Sequence, residues 1–481
     1  MASHLKRLAT SGAAYQASSL LAAFLALFTL PLYTRYLTPA ELGYAETLLT
    51  AIILVSILLR FGIGEAFVRF YFDDADPARR DRLARTTTGF VLVTTTVAAL
   101  VAVALAGAIG ELLLGIRDPT LVAFGVLGLW AFTNLEVAYA LLRVDERRRT
   151  YLAASVSNVL LTVALTVTLV VGFDQGARGY VLGNYAASTV VLVGLWLFAL
   201  RHRVALALRG GPRALVPLLR FGAPTVPADA AVFALNVIDR AYLLRADSPA
   251  AAGLYSVAVK LATVVIVAVR GFQLAWPPLA YSIAEEAEAR RVYALVTSAY
   301  VMATGLVVAG VTLLGRWVLR LLADDEFFAA HEALPWVALG WALYGLFLVF
   351  VTIAGRAKVT ARVFPAAAAG LAVNVVALVV LVDPLGIAGA GIALCAAYGV
   401  MLLTVHLLTR RAFAVPFEAR RLALVIAVTG GVATAGELLL PTSGVAGFAS
   451  RAAALLAIPV LLMTVRVFSP QEIARFRAAL R

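Results

Sequence analysis

Two arginines, Arg60 and Arg270, stand deep inside long apolar runs and are 210 residues apart. A guanidinium fork can hold two phosphate oxygens at once, and an arginine placed at membrane depth marks a substrate or ion path. A duplicated pair of this kind is a candidate pyrophosphate clamp. The competing reading is that each side chain snorkels to the headgroups. A second set of polar residues lies on one apolar stretch: Asp229, Asn236 and Arg240, spaced by seven and four, share a helical stripe that would line a water-filled cleft or bond to neighbouring helices. Asp239 falls beside Arg240 and off that stripe. Lys260 completes the cationic candidates for substrate binding. Asp229, Glu46 and Glu136 are the candidate acids for coupling H+ or Na+, and Glu46 and Lys260 are placed to pair. Glu65 and Arg69, four apart, read as a pair along one helix.

The elements that must position these residues are membrane helices. The 481-residue chain is 62% hydrophobic and only 14% charged, with a mean hydropathy of +0.94, so it cannot cover itself with polar surface. Fourteen apolar runs are long enough to span a bilayer. Their approximate limits are 12–36, 44–72, 86–114, 119–142, 151–172, 180–200, 222–244, 253–282, 291–314, 335–355, 364–382, 386–408, 421–440 and 450–468. The expected fold is an all-α membrane protein of 14 transmembrane helices. The net charge of +13 does not indicate nucleic acid. The basic residues sit in short clusters between the runs and place both termini in the cytoplasm by the positive-inside rule. Arg451 falls in an outer segment on this topology. The lone Cys395 and four scattered histidines offer neither a disulfide framework nor a metal site, and no phosphate-binding loop of the G-x-x-x-x-G-K type is present. No cofactor is expected beyond the coupled ion.

Sliding the chain by 210 residues aligns Arg35 with Arg245, Thr38-Pro39 with Ser248-Pro249 and Gly43 with Gly253, as well as Arg60 with Arg270. Further on it aligns Gly176 with Gly386 and Gly179 with Gly389. Six spans per copy is an even number, so the repeats are parallel and the substrate site is expected between them. The expected domains are a first lobe over residues 1–200 and a linker over 201–221, followed by a second lobe over 222–408. The last two spans and a tail occupy 409–481. The linker is basic with interleaved Leu and Val and reads as an amphipathic helix on the cytoplasmic leaflet.

Two six-helix lobes plus two C-terminal helices, with Pro31-Leu32-Tyr33-Thr34-Arg35-Tyr36-Leu37-Thr38-Pro39 and Glu41-Leu42-Gly43, resemble the polysaccharide (oligosaccharide-lipid) flippases of the multidrug/oligosaccharidyl-lipid/polysaccharide exporter superfamily. The resemblance implies a non-enzymatic transporter in a bacterial cytoplasmic membrane. It would export polyprenyl-pyrophosphate-linked glycans by alternating access, with membrane lipids and polysaccharide-assembly proteins as partners. A cation-coupled drug or metabolite antiporter of the same fold is the alternative, and its cavity should be acidic or aromatic. A membrane glycan polymerase or ligase is a second alternative, but such chemistry asks for a larger outer loop than this chain carries.

Overall fold

The computed structural model describes residues 21–73, 76–203, 211–465 and 467. Every regular element among them is helical. The chain gathers into two compact units, Met1–Ser256 and Val257–Arg481.

The first unit opens with α1 (Leu21–Tyr36) and α2 (Pro39–Arg60). The start of α2 is written in its sequence. The Thr38 hydroxyl accepts the Glu41 amide (3.3 Å) while the Glu41 carboxylate accepts the Thr38 amide (2.9 Å), and Pro39 occupies the first helical position. The helix ends at Phe61 and Gly62, both with positive φ (48° and 66°), and resumes as α3 (Ile63–Asp73). The single expected span over 44–72 is therefore broken immediately after Arg60. Then come α4 (Pro77–Ala104), α5 (Ala106–Leu114) and α6 (Pro119–Val144). Helix α6 is the core of the unit. Leu135, Ala138, Leu141 and Leu142 are buried with Phe67 of α3 and with Leu192 of a later helix. Helix α7 (Arg148–Val167) widens into a π turn over Thr168–Gly172 and is followed by α8 (Gly176–Gly194).

Residues 204–210 of the expected linker lie outside the described residues. The next helix, α9 (Gly211–Gly222), packs through Leu215 and Leu218 against Ile63 and Ala66 of α3, Val91 of α4 and Val137 of α6. Helix α10 (Val226–Ala246) and the first part of α11 (Pro249–Leu261) complete the unit.

Two features at the 210-residue spacing have the same local structure. Ser248 caps α11 by accepting the Ala251 amide (3.1 Å), as Thr38 caps α2. Gly43 and Gly253 lie in a reciprocal contact in which a Cβ on Gly43 would overlap the Pro249 carbonyl and a Cβ on Gly253 the Pro39 carbonyl. The two helix starts touch backbone to backbone, which only glycine permits.

In the second unit α11 bends by 49° into α12 (Thr263–Ser282). Next come α13 (Glu286–Leu322), a 3-10 segment over Asp325–Glu332, and α14 (Leu334–Arg356). Helix α15 (Val363–Thr409) is continuous except at Gly386, where φ is 54° and ψ is −135°. Its sequence counterpart Gly176 also has positive φ, at 50°. Last are α16 (Ala419–Leu439) and α17 (Gly444–Thr464). Arg451, expected in an outer segment, lies in the second turn of the last helix. It is fully buried on α17, pairs with Glu437 of α16, and donates to the carbonyls of Pro441 (3.0 Å) and Leu440 (3.2 Å). Glu437 also accepts Arg316 of α13 at 2.6 Å.

Among the described residues, ten helices are long and apolar enough to cross a membrane, or up to eleven with the bent α11–α12 pair as one span. The expected fourteen differ for local reasons. Helix α1 is described only from Leu21. Helix α10 carries Asp229, Asp239, Arg240 and Arg245 and is too polar to qualify. The Thr360–Thr409 stretch, 50 residues long, counts once although Gly386 divides it.

Candidate functional site

Arg60 is the last residue of α2, where a cation meets the unpaired carbonyls of a helix end. Its Nε donates to the Ser56 carbonyl at 3.3 Å. One terminal nitrogen lies 3.9 Å from Oε2 of Glu136 on α6, and the two side chains remain 25% and 34% exposed. This loose pair stands in the wall of a cavity of about 520 Å³. The cavity is also lined by Glu65 and Arg69 of α3, Thr87 of α4 and Arg143 of α6, with Phe67, Val68, Phe72 and Val137 as its apolar wall. Three guanidiniums stand against two carboxylates, so the lining is net positive. Arg69 also lies over the Phe221 ring, 5.1 Å from its centroid. The break at Phe61–Gly62 falls beside this space: Arg60 ends α2, and Glu65 and Arg69 of α3 line the same cavity.

The polar stripe of α10 divides. Asp229, in the first turn, is exposed and within electrostatic reach of Arg60 and Glu65. The Asn236 side chain lies outside the described residues. Arg240 is 7% exposed and donates through Nε to the Ser256 hydroxyl of α11 at 3.0 Å. Asp239, which the periodicity sets aside, is the most buried charge on the helix at 1% and accepts the Tyr255 hydroxyl at 2.8 Å. Glu46 of α2 is also buried and accepts the Tyr180 hydroxyl of α8 at 2.8 Å. Tyr33 meets the Tyr180 ring edge-on, and Arg240 is within electrostatic reach of Tyr180. Glu46 and Arg240 thus belong to a buried polar cluster among α2, α8, α10 and α11, whereas Arg60 and Glu136 line the cavity and Asp229 lies within electrostatic reach of Arg60.

In the second unit, Arg270 is exposed on α12 and within electrostatic reach of the Tyr344 hydroxyl of α14. Lys260 is half-buried in the last turn of α11, just before the bend.

Sequence reasoning missed Arg143 as a cavity residue. A signal was present: Glu136 and Arg143 are seven residues apart, two helical turns, and therefore share a face. It also missed a second cavity of about 590 Å³, lined by Glu41, Tyr44, Asp118, Asp174 and Arg178 among others. Two of its acids are already engaged: Glu41 caps α2, and Asp118 caps α6 by accepting the Leu121 amide (3.0 Å) while pairing with Arg178 (3.0 Å).

The sequence pattern shared by polysaccharide biosynthesis proteins matches residues 8–281, more than half of the chain. The chain belongs to the polysaccharide biosynthesis protein family. No curated protein matches it. Among solved structures, the lipid II flippase MurJ in an inward closed conformation superposes with a TM-score of 0.77 at 13% identity, covering 97% of this chain and 99% of that one. An inward-facing multidrug resistance MATE transporter of the MOP superfamily gives 0.65 at 15% identity, covering 81% and 94%. A MOP superfamily transporter from Pyrococcus furiosus, described as having a binding pocket of reverse polarity, gives 0.56 at 16% identity, covering 85% and 95%. At these identities the likeness is one of fold. Family and fold together make this chain a multi-pass helical membrane protein of the polysaccharide biosynthesis family.

Proposed function

We propose that the protein flips a polyprenyl-pyrophosphate-linked oligosaccharide from the cytoplasmic to the outer leaflet of a bacterial inner membrane by ion-coupled alternating access. The observation that carries this reading is the net-positive cavity at the broken end of α2, where Arg60, Arg69 and Arg143 line an apolar-walled space of about 520 Å³. An anionic headgroup on a hydrocarbon tail suits that mixture of charge and apolar wall. Arg270, at the matching position of the repeat, is the second cation proposed to hold the phosphates. Both termini are proposed to lie in the cytoplasm, and polysaccharide-assembly proteins are the expected partners.

The fold shared with multidrug transporters supports a second reading, a cation-coupled antiporter. Its cargo would be cationic, and three arginines against two glutamates disfavour that cargo in this cavity. The test is flipping in proteoliposomes, read as the fraction of lipid-linked oligosaccharide that becomes accessible to an impermeant glycosidase. Arg60→Ala with Arg270→Ala should slow flipping about tenfold or more, the loss expected for charged hydrogen bonds. Flipping at the wild-type rate would remove the clamp, and export of a cationic dye with no glycan flipping would favour the antiporter.

A further inference from the structure

Helix α9 meets the cavity lining through one ring. Leu215 and Leu218 bury its inner face against α3, α4 and α6. Phe221, at its far end, is 39% exposed and meets α3 in a different way. The Phe70 ring stands edge-on to it with the centroids 5.9 Å apart, and the Arg69 guanidinium lies over its face, 5.1 Å from the centroid. Arg69 is a cavity residue.

The backbone sets this register. Gly62 precedes α3 at the end of the break, and Gly222 precedes a 3-10 turn over Ala223–Thr225 at the end of α9. The two glycines are in reciprocal contact, because a Cβ on either would overlap the carbonyl of the other. Two interruptions of helix therefore meet backbone to backbone, directly beside Phe221 in the sequence. Arg60 has its own anchor, since its Nε donates to the Ser56 carbonyl. Arg69 is exposed on α3, and an exposed arginine loses rotamer freedom when it grips a ligand. Glu65, one turn earlier, offers the guanidinium an opposite charge. The ring orients its plane. A ring against the guanidinium face leaves the N–H edge for phosphate oxygens.

We propose that Phe221 is a positioning residue for the headgroup: its ring holds Arg69 at the cavity with the N–H edge presented to a phosphate. The inference rests on the pyrophosphate reading above. It adds a part for α9, a helix whose described residues do not line the cavity themselves. Arg60 and Arg143 line the cavity independently of Phe221. The ring therefore tunes affinity and does not decide whether the ligand binds.

The test uses the full-length protein in lipid nanodiscs and geranyl-pyrophosphoryl-N-acetylglucosamine as probe, with affinity read by calorimetry. Phe221→Leu should bind about two- to fivefold more weakly than wild type, the range of one partly exposed cation–π contact. Phe221→Met is a second ringless variant and should match it, whereas Phe221→Tyr keeps a ring and should bind as wild type does. Arg69→Gln should weaken binding at least as much as Phe221→Leu. Adding Phe221→Leu to Arg69→Gln should then cost no further affinity. A loss that follows the ring and disappears without Arg69 separates positioning from altered packing. Unchanged binding by both ringless variants, weak binding by Phe221→Tyr, or an equal loss in the Arg69→Gln background overturns the positioning role and leaves the pyrophosphate reading standing. No binding by wild type overturns that reading and the positioning role with it.

Discussion

At the scale of single residues, charges in this chain are spent in two ways, and sequence distinguishes them poorly. Arg451 is counted with the outer segments by its position between apolar runs, yet it is fully buried and ties α16 and α17 to α13. Removing Arg451 leaves Glu437 paired with Arg316 but deprives the Pro441 and Leu440 carbonyls of their donor. Arg451→Ala should therefore cost about 1–3 kcal/mol, measured as a fall in the thermal unfolding midpoint of purified protein. Asp118 shows the milder case. Burial pushes its carboxyl up, but Arg178 and the Leu121 and Thr120 amides outweigh that effect and hold it below the usual carboxylate value. A depressed folded-state value gives stability that is complete above about 3.9, the ordinary aspartate value, and fades as pH falls below it. Asp118→Asn should lower stability by about 0.5–1 kcal/mol at neutral pH. In unfolding curves taken at successive pH values, its deficit relative to wild type should shrink toward acid.

At the scale of elements, apolar length was legible, and a break was legible where Pro and Gly together mark it, as at Pro384–Gly386, but not where they do not. The caps of α2 and α11 could be read from Thr38-Pro39 and Ser248-Pro249, because a hydroxyl and a proline at adjacent positions specify a helix start. The break at Phe61–Gly62 could not be, since both residues fit an apolar run and hydropathy carries no information about φ. That omission hid the site. An unbroken helix would carry Arg60 mid-span, whereas the observed one ends there and lets Arg60 meet Glu136, 76 positions later, across a cavity. No local pattern links residues so far apart. Their types did suggest function, and the seven-residue spacing of Glu136 and Arg143 held a clue to their shared face. The polar stripe of α10 left open a cleft or a bond to a neighbouring helix, and the Arg240 side chain makes such a bond, to Ser256 of α11. The glycine contact between α2 and α11 gives this scale its prediction. Gly43→Val and Gly253→Val should each destabilise by about 1–3 kcal/mol through overpacking, read as lost thermal stability. The double variant should lose less than the sum, because each first substitution already separates the same two helices.

At the scale of the whole molecule, composition alone required a helical membrane protein, and the family match and fold agree with it. The 210-residue repeat was legible because glycine and proline are tied to backbone geometry: Gly176 and Gly386 both adopt positive φ, and Gly43 and Gly253 meet in one contact. Charges are freer to diverge between repeats. Asp229, Asp239 and Arg240 have no charged counterparts at positions 19, 29 and 30, and the break after Arg60 is not matched at the same register after Arg270, where the bend comes earlier, at Ala262. The two halves thus retain common backbone features and differ in charge. The central claim is that the cavity beside α2 receives the phosphates of a lipid-linked glycan. The most direct measurement is a density map of the protein bound to such a glycan. The account predicts phosphate oxygens within about 3 Å of the Arg60 guanidinium. Phosphates seated elsewhere would contradict it.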